Sequence, residues 1–152
     1  MTTRNHVVEE ARRWLGTPFQ HQGHSLGLAC DCAGLIRGVA MRLKLVSADF
    51  MSSEAALPFL GYPTDPYQGL MERACHAFML PISINSAKAG DVVLMKWKGD
   101  PRHLAILVPY AIGGLAMIHA YNRATPPSVV EHRFSDVWRA RVVEAFALPG
   151  VA

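Results

Sequence analysis

Five short β-prone runs succeed one another in the second half of the chain: "VVLMKW", "HLAILVPY", "LAMIHAY", "SVVEHRF" and "ARVVEAFAL", with Gly, Pro and Asp clusters between them. Branched and aromatic residues favour the pleated strand, and the punctuating residues favour turns. Ahead of these runs the period is helical. Val7, Val8, Ala11, Trp14 and Leu15 recur at helical spacing until Gly16, Thr17 and Pro18 stop the run. From Cys32 onward, Leu35, Ile36, Val39, Ala40 and Leu43 repeat at three and four. Helices followed by a succession of strands predict an α+β domain, with N-terminal helices packed on a central antiparallel sheet of about five strands. The chain has 152 residues, 51% of them hydrophobic, which suits one core and one domain over 1–152.

Residues 19–29 form a turn-rich connection, and residues 47–66 read as loops with one short helix. The stretch "PYQGLMERACHAFM" reads as a further helix. A net charge of +3 with scattered Lys and Arg argues against a nucleic-acid-binding arm. No apolar run approaches the roughly 18 residues of a membrane span, so no membrane insertion is expected. The N-terminal "MTTRNHVVEEARRWLG" lacks the apolar centre of a secretory signal, which points to a soluble protein made in the cytoplasm.

The segment "LACDCAGLIRG" admits three readings of its thiols. A zinc site wants a second pair of ligands, whereas this C-x-C spacing has no matching pair, so no metal is expected. Cys30 and Cys32 lie too close to clip a useful loop, and the count of three cysteines is odd. A cysteine in the first turn of a helix is different, because free N–H groups and the positive end of the dipole stabilise thiolate. Cys32 fits that description, with Asp31 near the N-cap and Cys30 on the preceding extended segment. Its thiol is then expected to fall from about 8.5 into the range of about 3.5–7.5. The alternative, that both thiols are small buried hydrophobes, stays open. Cys75, inside "MERACHAF", reads as a core residue.

A thiolate nucleophile needs a base and a group that orients the base. His6 lies among polar neighbours, His76 reads as a surface or capping group, and His132 falls on what should be an outward strand face. His21, His24, His103 and His119 remain. His103 opens a strand directly after the turn "KGDPR", a place where scaffolds present reactive groups. His119 lies in the next strand, and a hairpin through Gly113 and Gly114 would set it opposite Val108. Meeting His103 then requires a register shift or a bulge. A hydrogen-bonded core histidine is the competing reading of His119.

Taken as a set, "WLGTPFQHQGHSLGLACDCAGLIRG", "AGDVVLMKW", "RHLAILV" and "MIHAYN" resemble the motifs of the NlpC-type cell-wall cysteine peptidases, a papain-like group, and in particular its phage-associated branch. The resemblance runs over residues 14–149. It implies a papain-like α+β core with Cys32 as nucleophile, His103 as general base and acid, and His119 as the polar group that orients His103. It implies that the thiolate attacks an amide carbonyl, that His103 protonates the leaving amine, and that water then releases the acyl group. The implied oxyanion donor is the backbone N–H of Cys32. Phe19, Gln20, His21 and Asp31 are further candidates for oxyanion or substrate contacts. Phe19 stands where many relatives carry a tyrosine whose hydroxyl lies near the nucleophile.

The same resemblance implies peptidoglycan stem peptides as substrate and no cofactor. It implies a phage-tail or gene-transfer-agent component, bound to a tail hub or fibre protein and acting at the wall or periplasm of a target cell. The alternative is a structural tail-tip or assembly module that keeps the fold with little turnover.

Overall fold

The computed structural model describes residues 1–51, 61–65 and 68–152. Its elements are α1 (Arg4–Arg13), β1 (His24–Ser25), β2 (Ala29–Cys30), α2 (Cys32–Arg42), α3 (Ala48–Met51), α4 (Leu70–Phe78), β3 (Leu80–Ile82), β4 (Val92–Met95), β5 (His103–Pro109), β6 (Leu115–Tyr121), β7 (Ser128–Arg133), α5 (Asp136–Arg139) and β8 (Val142–Ala147). Part of the loop stretch read at 47–66, and the first two residues of the helical stretch that follows it, lie outside the described residues.

The five expected strands pair antiparallel, and a sixth joins them, in the order β3-β8-β4-β5-β6-β7. The added strand, β3, is three residues long and contains Pro81, too short and too broken to read as a strand in isolation. It sits at a sheet edge, where a proline is tolerated. A second small sheet pairs β1 with β2 in the connection before α2.

Alternation along β5 and β6 divides the sheet into two faces. Leu104, Ile106, Val108, Ala116, Ile118 and Ala120 are buried with Val7, Ala11, Trp14, Leu35, Ile36 and Val39 of the N-terminal helices. Each fully buried Val, Leu or Ile among them contributes about 1.5–3 kcal/mol. The other face gathers Val93, Met95, Ala105, Leu107, Met117 and Ala145 beneath Phe134 and Trp138. Cys75 is buried in the first cluster, in keeping with its reading as a core residue.

Local chemistry sets the helix ends. Thr3 and His6 form a capping box, each side chain accepting from the other's backbone N–H. Asp91, of the "AGD" turn, is buried and accepts from Arg4 at 2.5 Å and from the Lys88 N–H at 2.9 Å. That carboxylate therefore ties the start of α1 to the start of β4. Among the described residues no helix is long and apolar enough to cross a membrane.

Candidate active site

Asp31 caps α2 in extended conformation, and its Oδ1 accepts from the Gly34 N–H at 2.8 Å. Its Oδ2 accepts from the Gln22 N–H at 2.7 Å, and both oxygens lie within 2.7 Å of the Tyr62 hydroxyl. Asp31 is thus a buried acceptor with a backbone N–H on each oxygen and the Tyr62 hydroxyl donating to the carboxylate as well. Gly34 stands where the preceding loop crosses the helix, because a β-carbon there would overlap the Gly23 carbonyl oxygen. The D-C-x-G pattern is a clamp: acid, first-turn cysteine, and a glycine that admits the crossing loop.

The clamp sets Cys32 at the first position of α2, half-buried at the edge of the main core. Its thiol lies 3.6 Å from the Arg102 carbonyl, the residue before His103. The N–H groups of Leu104, Ala33 and Cys32 itself approach the sulfur. The sulfur therefore rests on the main chain on both sides of His103. The described hydrogen bonds of the thiol include none to the His103 ring.

The expectation of a thiolate at neutral pH is not met. Burial first, and the Asp31 carboxylate second, push the Cys32 thiol up to about 12. Nearby backbone N–H groups favour the anion but do not outweigh desolvation. The dipole rule omits the acid that caps the same helix and the sheet that covers its end.

On the sheet, Val108 pairs with Ala116 rather than with His119. This three-residue offset from the symmetric hairpin carries His119 back toward the start of β5. His103 Nε2 then lies 2.6 Å from His119 Nδ1, with ring centroids 4.9 Å apart. The chain of imidazoles continues, because His119 Nε2 lies 2.7 Å from His132 Nε2. His132 is thus not on an outward face: α5 folds over that side and stacks Trp138 on it at 5.0 Å. Trp97 lies against His103, and Tyr121 and Trp138 lie against His119.

Burial, with His132 nearby, pulls His103 down to about 4 from its ordinary 6.5, and burial with both neighbours pulls His119 to about 2. Both rings are neutral at pH 7. Because the folded values lie below the unfolded one, the unfolded state binds more protons as pH falls through 6.5. Stability is then complete above pH 6.5 and should decline as pH drops toward 4, read as a falling urea midpoint.

The remaining candidates take structural positions. Phe19 is half-buried against the main core, and its N–H donates to the Pro127 carbonyl at 2.9 Å. Gln20 is exposed, and its N–H donates to the Cys30 carbonyl at 3.0 Å. His21 Nε2 reaches the Tyr62 carbonyl at 3.1 Å, and its Nδ1 lies 3.8 Å from Asp31. Tyr62, His132 and Trp138 were not picked out from sequence. Tyr62 lies 31 positions from the carboxylate it binds, and no local pattern links the two. Among the described residues no three His, Cys, Asp or Glu side chains are arranged to hold a metal ion.

Residues 16–146 match the model of the NlpC/P60 family. The crystal structure of the NlpC/p60 domain of the peptidoglycan hydrolase SagA superposes with a TM-score of 0.60 at 25% identity, covering 97% of this chain and all of that one. A protein described as similar to lipoprotein, of the NLP/P60 family, from Staphylococcus aureus subsp. aureus Mu50, superposes with a TM-score of 0.62 at 18% identity over 96% of this chain. This chain spans 41% of that protein's chain, and the likeness there is one of fold. No curated protein sequence matches this chain.

Proposed function

The chain belongs to the NlpC/P60 family, and on that premise we propose that it is a cysteine peptidase that hydrolyses the peptide stems of bacterial peptidoglycan. The observation that carries this reading is the seating of the Cys32 sulfur against the main chain that bears His103, whose ring is itself held by His119.

The resting pair is a neutral thiol and a neutral imidazole. Attack then takes the form of general-base catalysis. Sulfur adds to the amide carbonyl as the thiol proton passes to His103, and a nucleophile–base contact of this kind commonly tightens only with substrate bound. The N–H groups of Leu104, Ala33 and Cys32 that approach the sulfur favour its negative charge as the proton leaves, and the Cys32 N–H at the start of α2 is the proposed donor to the oxyanion. His103 next protonates the leaving amine, and a water that it deprotonates releases the acyl group.

Incubation with purified peptidoglycan should release stem peptides detectable by mass analysis. No release from walls of differing stem composition would overturn the proposal. Activity should persist at pH 5, because a base held near 4 stays mostly neutral there, whereas an ordinary histidine at 6.5 would be largely protonated. An acid limb of kcat/KM near pH 6.5 would contradict that assignment.

The same proposal extends to delivery: a component of a phage-like tail or gene-transfer-agent particle, bound to a hub or fibre protein and acting at the target cell wall or periplasm. Its support is the likeness of the motif set to the phage-associated branch, and its check is co-purification with tail particles. A second reading, a tail-tip or assembly module with little turnover, draws on the protonated thiol and its bond to Arg102 instead of the His103 ring. Peptide release at a turnover rate typical of hydrolases would rule it out.

A further inference from the structure

The proposed mechanism uses two of the three linked imidazoles and gives His132 no part. The hydrogen-bond chemistry of its ring supplies one. His132 Nδ1 lies 3.0 Å from the Arg133 carbonyl oxygen. A carbonyl only accepts, so Nδ1 carries the proton, and the neutral ring presents a lone pair at Nε2. That lone pair faces His119 Nε2 at 2.7 Å. Two lone pairs cannot share the contact, so His119 Nε2 donates and His119 Nδ1 is left as an acceptor. His119 Nδ1 in turn faces His103 Nε2 at 2.6 Å, so His103 Nε2 must donate. The result is a single orientation for three rings, ending in a lone pair on His103 Nδ1.

We propose that His132 is a positioning residue that sets the tautomers of His119 and His103, and so leaves His103 Nδ1 free to take the Cys32 proton. This rests on the peptidase reading for its catalytic consequence. Without an acceptor at position 132, the buried His119 Nε2–H has no partner. His119 then gains by shifting its proton to Nδ1, where it donates to His103 Nε2 and forces the His103 proton onto Nδ1. That tautomer has no lone pair for the thiol. The order of the chain also steadies the cation formed during attack, because each ring in turn offers its acceptor end toward His103. Among the described residues the titratable side chains hydrogen-bonded into the chain are the three histidines; the Tyr121 ring lies against His103 and His119, and α5 faces His119 and His132 with the indole of Trp138.

Two variants separate this role from packing. In His132→Gln the amide oxygen can accept from His119 Nε2–H, whereas His132→Leu fills the space without an acceptor. The Gln variant is expected to keep kcat within a few-fold of wild type, and the Leu variant to lose about 10- to 100-fold in kcat with KM unchanged. Ring 15N NMR at neutral pH supplies the readout that packing alone would not move. Wild type and His132→Gln should show His103 protonated at Nε2, and His132→Leu should show protonation at Nδ1. A wild-type His103 protonated at Nδ1 would overturn the inference, and this measurement needs no variant to fold. So would a Leu variant with unchanged tautomer and kcat. If wild type releases no peptides yet shows the expected ring signals, the peptidase reading fails while the tautomer assignment stands.

Discussion

Replacing Cys32 by alanine is expected to eliminate peptide release while leaving the fold in place, and His103→Ala is expected to lower kcat by about 10²- to 10⁴-fold. The two effects differ because sulfur forms the covalent intermediate, whereas the imidazole moves protons that water can move slowly. Structure tolerates the cysteine change: the side chain is half-buried, and as a donor the thiol makes a weak contact to the Arg102 carbonyl. A melting temperature within a few degrees of wild type, together with no released peptide, would tie the loss to chemistry. Retained release by Cys32→Ala would remove the thiol from the reaction altogether.

The largest effect on stability should come from Gly34→Ala. A methyl group at this position would run into the Gly23 carbonyl, which also accepts the Asp31 N–H at 3.1 Å. Backbone, not a flexible side chain, has to move. Overpacking of this kind costs about 1–3 kcal/mol. Forcing the loop away also loosens the bond from Gly34 N–H to Asp31, a cap worth about 0.5–2 kcal/mol. Each kcal/mol lowers the melting temperature by roughly 2–4 °C in a domain of this size. Urea or thermal unfolding reads the change, and an unaltered midpoint would mean that the crossing of loop and helix is looser than the structure has it.

The parts legible in the sequence were those written in local spacing. The apolar repeats of α1 and α2, the acid at the N-cap and the strands β4–β8 all depend on neighbours within a few positions. What escaped depends on distant parts of the chain. β3 forms because β8 offers it an edge, not because Leu80–Ile82 favours strand. His132 sits between the exposed Glu131 and Arg133, so alternation assigns it to the opposite face. Whether that face meets water is decided by a four-residue helix, α5, that no periodicity announces. The state of Cys32 escaped for the same reason, since a first-turn position is visible in sequence and the desolvation imposed by β5 is not.

The aromatic rings around the histidines carry a practical consequence. Trp97 lies 5.8 Å from His103, and Trp138 lies 5.1 Å from His119 and 5.0 Å from His132. A protonated imidazole in contact with an indole quenches its emission, whereas a neutral one does so far less. Two of the three tryptophans of the chain are therefore intrinsic optical reporters of where the proton resides, and stopped-flow emission could follow its passage during turnover without any added dye.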